Sequence, residues 1–304
     1  MSDVRERALE VLAGTDLEET DDALLRDGFA YEMLIAHEHQ HNETMLQLLQ
    51  MVPGYEPAPS LEAERLAAPA VEPVAGGGEM VLVEGGSHEV GAPDGGFAYD
   101  NERPRHSVEL ESFEIDRTPV TNGQFSDYVA ETGAEAPMYW EPDGEGRWLN
   151  TVFGRREPLD PALPVVHVDY PVAAGFARWA GKRLPTEHQW EAAARGADPE
   201  RANLDGVRLR CAPAGAFADA PSECGAVQML GEVWEWTRSD FLAYPGFRAF
   251  PYPEYSEVFF GSTHKVLRGG SWATRRGVIR TSFRNWDLPE RRQIFSGLRC
   301  VREL

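Results

Sequence analysis

The chain has 304 residues, 42% of them hydrophobic and 8 of them Trp, with a formal net charge of -21. A chain this long and this apolar buries a core of one large or two modest domains and is not disordered. Its acidity excludes nucleic acid, whose phosphates need a basic face, and disfavours an anionic membrane; solubility accounts for the charge.

The chain opens Met1-Ser2-Asp3-Val4-Arg5-Glu6, without the basic-then-apolar order of a signal peptide. No apolar run approaches the roughly 18–20 residues of a membrane span, so the cytoplasm is the expected location. Helical spacing covers residues 3–13 and 23–51: Leu9 and Leu12, then Leu24, Leu25, Phe29, Met33, Leu34, Met45, Leu48 and Leu49. Asp21 or Asp22 caps the second helix, and Pro53-Gly54 ends it. Two helices cannot bury their own faces, so residues 1–52 read as the tail of a helical bundle.

The second helix carries His37 and His41, four apart and therefore on one face, where two imidazoles can grip one metal ion. The same run matches the zinc-peptidase pattern H-E-x-x-H with Glu38 as base, a short pattern that the rest of the chain must arbitrate. The bland alternative is a solvated helix face.

Residues 53–79, rich in Ala, Pro, Glu and Gly, form a linker. From Met80 to Leu304 the texture is β-rich. Short strands are expected at 80–83, 107–110, 113–115 and 265–268, with helices at 121–132, 171–181 and 186–195. Thr186 and Gln189 make a capping box for the last helix. Cys211, Cys224 and Cys300 are an odd set without C-x-x-C spacing, so neither a disulfide framework nor a thiolate zinc site is expected.

Six stretches of this second part, in order and spacing, resemble the formylglycine-generating-enzyme superfamily. They are Gly85-Gly86-Ser87-His88-Glu89-Val90-Gly91, Asp116-Arg117-Thr118-Pro119-Val120-Thr121-Asn122, Pro164-Val165-Val166-His167-Val168, Gly181-Lys182-Arg183-Leu184-Pro185-Thr186-Glu187, Gly231-Glu232-Val233-Trp234-Glu235-Trp236-Thr237 and Leu267-Arg268-Gly269-Gly270-Ser271-Trp272. The resemblance implies an α+β fold: a C-type-lectin-like domain over residues 80–304, preceded by a partial DinB-like helical bundle. Within the superfamily, Tyr99-Asp100-Asn101-Glu102-Arg103-Pro104, Tyr244-Pro245-Gly246-Phe247, Pro251-Tyr252-Pro253-Glu254-Tyr255 and Ser282-Phe283-Arg284-Asn285-Trp286-Asp287 resemble the sulfoxide synthases of ergothioneine biosynthesis, the hercynine oxygenases. Their H-x3-H iron motif matches His37 and His41, which displaces the peptidase reading. Formylglycine generation itself is not expected: paired cysteines should follow the Arg-Gly-Gly-Ser element, and Ala273-Thr274-Arg275-Arg276 stands there.

This resemblance implies an iron(II)- and O2-dependent enzyme that joins γ-glutamylcysteine to C2 of hercynine. Gln40 and Asn285 would bond the imidazole substrate, and Trp286 would face its trimethylammonium group. Asp287 and Arg291 would receive the γ-glutamyl group, and Tyr252, with Tyr255 a close rival, would give a proton. Packing is the alternative role for Trp286 and Tyr255, and a surface ion pair for Asp287 with Arg291. The family's third histidine comes from an upstream helix, so a separate chain completing the bundle is one expectation. His39 points about 200° around the helix from His37 and does not substitute. His88, His106, His167, His188 and His264 are expected to be structural or exposed. Related domains also hold a structural calcium, for which Asn203, the Leu204 carbonyl and Glu235 offer hard oxygens; Glu235 bonded to backbone amides is the competing reading. The other functional readings are a histidine–cysteine sulfoxide synthase of the ovothiol type, and a truncated, inactive binding protein.

Overall fold

The computed structural model describes residues 2–18, 20–55 and 78–304. Most of the expected linker, residues 56–77, lies outside the described residues.

Two helices come first, α1 (Ser2–Ala13) and α2 (Phe29–Met51). α1 is exposed almost throughout. α2 begins six residues later than the periodicity predicts. Asp27 (φ 56°) and Gly28 (φ 72°) are both left-handed, and two such residues in succession break a helix. Asp22 caps only a local turn, its carboxylate accepting the Leu24 amide at 2.9 Å.

The face that α2 buries also differs from the expected one. Leu34, Met45 and Leu48 are exposed, whereas Phe29, Ala36, Glu43 and Gln50 are buried. These four are seven residues apart, a single stripe down the helix. Met33, Leu46 and Leu49 flank it and pack against the β-rich domain. Gln50 closes the lower end: its Nε2 donates to the Thr151 carbonyl at 2.7 Å and its Oε1 accepts from the Phe153 amide at 2.7 Å.

The domain is built on small sheets. β1 (Met80–Val83), β4 (Phe113–Asp116) and β12 (Val301–Glu303) form one antiparallel sheet, and Phe113 and Ile115 point into the core. β2 (Gly86–Val90) pairs with β3 (His106–Leu110). β5 (Trp140–Pro142), β6 (Trp148–Val152) and β7 (Arg155–Pro158) make a meander. The central sheet runs β10 (Asn285–Asp287), β9 (Gly261–Arg268), β8 (Trp234–Phe241) and β11 (Ser296–Gly297), with β11 parallel to β8. Helices α3 (Asn122–Thr132), α4 (Tyr170–Trp179) and α5 (Glu187–Ala193) match their expected spans within two residues at each end. Their caps explain this. The Thr186 hydroxyl accepts the Gln189 amide at 3.0 Å, and Gln189 returns the bond to the Thr186 amide at 2.9 Å.

The core is unusual in its arginines. Arg268, Arg284 and Arg299 are fully buried among Trp190, Trp236, Phe113 and Leu267. Each is paired: Arg268 with Glu191 at 2.5 Å, Arg284 with Glu187 at 2.7 Å, and Arg299 with Glu235 at 3.1 Å. Arg299 also donates to the carbonyls of Asp116, Arg117, Val227 and Gln228. Buried charge survives only when paired and hydrogen-bonded, and these arginines cross-link loops that a purely apolar core could not fix. The three cysteines are free, as expected.

Candidate active site at the helix–domain seam

α2 and the domain enclose a cavity of about 520 Å³. All eight residues nominated from the sequence line it: His37, Gln40 and His41 from α2, Tyr252, then Asn285, Trp286 and Asp287 from β10, and Arg291. Residues about 250 positions apart in the chain therefore meet at one seam.

The helix supplies one wall. His37 and His41 sit on its exposed flank with ring centroids 4.4 Å apart and planes at 86°. As neighbouring imidazoles, they suit a borderline cation such as iron(II) and fit as part of its donor set. Among the described residues, no three His, Cys, Asp or Glu side chains converge as a metal site. His39 also lines the cavity, from the other edge of α2. None of His88, His106, His167, His188 and His264 lines it. His167 is buried against Tyr139 and Phe295, and burial pulls its pKa down to about 4.

Strand β10 supplies the opposite wall by adding to the edge of β9, with Asn285 opposite Leu267, Trp286 opposite Val266 and Asp287 opposite Lys265. Trp286 stacks on Phe241 at 4.1 Å and meets Tyr255 and Phe259 at 6.0 and 5.7 Å. One indole face is therefore core, while the residue also lines the cavity. The Asn285 Oδ1 accepts the Trp286 amide at 2.9 Å. Asp287 and Arg291 do not share a helix. A strand end and a turn bring Arg291 Nε to 3.5 Å from Asp287 Oδ1. Burial raises the Asp287 pKa, against the pull of Arg291. Arg291 is 45% exposed, so this pair is loose and open to a ligand.

The two tyrosines separate clearly. Tyr252 is 44% exposed and heads a short turn (Pro253–Tyr255). Tyr255 stacks on Tyr99 at 4.4 Å and shares a hydrogen bond with Gln40; burial pushes its phenol well above the usual range.

The sequence reading missed Glu43. Its buried carboxylate accepts hydrogen bonds from Trp234 Nε1 at 2.8 Å, Ser271 Oγ at 2.6 Å and Thr274 Oγ1 at 2.6 Å. Burial raises its pKa, opposed by those three donors. Only the seven-residue spacing from Phe29 through Ala36 to Gln50 could have flagged it. Gly269 and Gly270, at φ 93° and 77°, turn the chain after β9 and carry Ser271 and Thr274 to Glu43. A Cβ on Gly269 would lie 2.8 Å from the Met229 carbonyl oxygen, so only glycine fits there.

Of the hard oxygens suggested for calcium, those of Glu235 have other partners. Glu235 accepts from Trp190 Nε1 at 2.6 Å and from Arg299, an ion pair rather than the expected backbone amides. Asn203 donates to the Arg210 carbonyl and to Glu232. Burial lifts Glu232 to about 7. Among the described residues, no helix is long and apolar enough to cross a membrane.

Residues 67–304 match the family of sulfatase-modifying factor enzyme 1-like domains. The hercynine oxygenase of Mycolicibacterium thermoresistibile is 42% identical over 315 aligned positions, covering 90% of this chain and 69% of that protein. That of Mycobacterium tuberculosis is also 42% identical, covering 98% and 75%. The formylglycine-generating enzyme of Streptomyces coelicolor is 30% identical, covering 81% and 96%. Among solved structures, PvdO from Pseudomonas aeruginosa superposes with a TM-score of 0.58 at 25% identity, over 78% of this chain and all of that one. Treponema denticola variable protein 1 shares the fold, with a TM-score of 0.54 at 18% identity over 73% and 94%. By these likenesses the chain belongs to the hercynine oxygenase family of enzymes, within the sulfatase-modifying-factor superfamily.

Proposed function

We propose that this chain forms the substrate-binding part of an iron(II)- and O2-dependent sulfoxide synthase that joins the thiol of γ-glutamylcysteine to C2 of hercynine. The carrying observation is the single cavity in which a histidine pair on α2 shares space with Trp286, Asp287 and Arg291. The reaction balances as thiol plus imidazole C–H plus O2, giving the C–S sulfoxide and water.

His37 and His41 would hold the iron, with a third ligand from another helical segment or a separate chain. Bound there, iron(II) would supply a meeting point for dioxygen and a thiol that its charge helps to deprotonate. Trp286 takes the trimethylammonium group; a desolvated cation over indole gains about 0.5–2 kcal/mol. Its stacking on Phe241 holds the indole rigid, which lowers the entropy cost of binding. Gln40 and Asn285 orient the imidazole ring. Arg291 and Asp287 receive the carboxylate and ammonium of the γ-glutamyl group, the arginine as a fork. Both tyrosines line the cavity; Tyr252, the more exposed of the two, is the proton donor, whereas Tyr255 holds Gln40 in place.

The test is aerobic incubation of the protein, together with the helical segment or chain that supplies the third ligand, with iron(II), hercynine and γ-glutamylcysteine, read by mass spectrometry. One product containing both substrates and one added oxygen is expected. Turnover of histidine with cysteine instead would identify an ovothiol-type enzyme. Hercynine binding with no product from either pair would identify a binding protein.

A further inference from the structure

Glu43 does more than dock a helix. Its three partners can all donate, and a carboxylate accepts from all three without a mismatch. The hydroxyls are also aimed. Ser271 Oγ accepts the Ala273 amide at 3.1 Å and Thr274 Oγ1 accepts the Ser271 amide at 2.9 Å, which leaves both O–H protons for Glu43. Trp234 and Thr274 themselves line the cavity, so one set of bonds fixes both the helix and the facing wall. Gln50, on the same stripe, bonds only backbone of β6 and its turn, away from that wall.

We propose that Glu43 is the positioning residue for the histidine pair, setting the rotation of α2 so that both imidazoles address the cavity. This rests on the reading of His37 and His41 given above. α2 contacts the domain along one stripe, so its rotation about that line depends on the polar bonds made from the stripe. An imidazole stands roughly 6 Å from the helix axis, so a roll of about 10° displaces it by ~1 Å. A misplacement of that size costs about 100-fold in rate.

The experiment compares Glu43→Gln with Gln50→Ala. In the metal-free protein, imidazole NMR resonances of His37 and His41 are expected to shift in Glu43→Gln, while those of His106 and His188 stay fixed. With cobalt(II), Glu43→Gln should lose about tenfold in affinity and change the ligand-field spectrum, and Glu43→Asp should restore part of both. In turnover, kcat should fall about 100-fold with the hercynine KM within about threefold. Gln50→Ala should leave the cobalt spectrum unchanged. Equal effects of both substitutions, or unmoved histidine resonances in Glu43→Gln, would overturn the proposal. Failure of the parent chain to bind cobalt would count against the metal reading, not against this one, which the metal-free spectra decide.

Discussion

α2 and the domain that it leans on are held by different means. The domain closes around three buried arginines, each paired with a carboxylate and bonded to at least one backbone carbonyl. α2 is held by one stripe with polar contacts at Gln40, Glu43 and Gln50, while Leu34, Ile35, Met45 and Leu48 remain exposed. The candidate site takes one wall from each. In the proposed function the rigid wall recognises substrate and the lightly held one presents the histidines. Disturbing the first should therefore cost stability or substrate affinity, and disturbing the second should cost geometry.

The sharpest contrast comes from Arg299→Ala, which strands Glu235 and four carbonyls in the core. It should destabilise the domain by about 3–5 kcal/mol, measured by urea unfolding. A loss below about 1 kcal/mol would show that the arginine core does not hold the domain.

Within the substrate wall, Arg291→Ala should weaken γ-glutamylcysteine binding by about 2–4 kcal/mol and leave hercynine nearly unaffected. Trp286→Ala should do the reverse. Calorimetry with each ligand separates the two, and equal losses for both ligands would make these residues structural. Tyr252→Phe should keep both affinities and change the product ratio.

Acidity probes the domain alone. The Glu232 pKa is raised to about 7 from an ordinary 4.5, so its contribution to stability is complete below about pH 4.5 and is lost as pH rises through 7. The His167 pKa is lowered to about 4 from 6.5, so its contribution is complete above 6.5 and is lost as pH falls through 4. Between these limits the slopes oppose each other. Glu232→Gln should uncover the histidine slope and gain about 1–3 kcal/mol on the parent between pH 5 and pH 8. A difference that stays constant over that range, in unfolding curves taken at each pH, would contradict this.

The smallest effect concerns the lower latch. Gln50→Ala should cost about 1 kcal/mol and speed amide exchange in α2 only. Faster exchange spread through β8 and β9 would mean that the helix and the domain are one cooperative unit.

Local signals explain what was legible in advance. The capping box at Thr186 and the apolar alternation of Phe113 and Ile115 mark their elements because neighbouring residues decide them. The eight residues nominated through resemblance each fall on the cavity. The docked face of α2 was not legible. Glu43 and Gln50 are buried by bonds to residues about 100 to 230 positions away, and the seven-residue spacing that they share is too sparse to name those partners. The start of α2 was hidden too, since a left-handed Asp27 is set by tertiary context. Asp287 and Arg291 meet through a strand end and a turn, although their spacing also suited a helix.

The most direct test of the seam is to ask whether metal and substrate share it. Proton NMR of hercynine, in the presence of the protein and paramagnetic cobalt(II), reads the proximity of the two. The N-methyl and imidazole lines should broaden with the parent protein. They should sharpen again in a His37→Ala, His41→Ala double variant that still binds hercynine through Trp286. Broadening that is identical in the double variant, or bound hercynine whose lines stay sharp with cobalt-loaded parent protein, would contradict a site shared by α2 and β10.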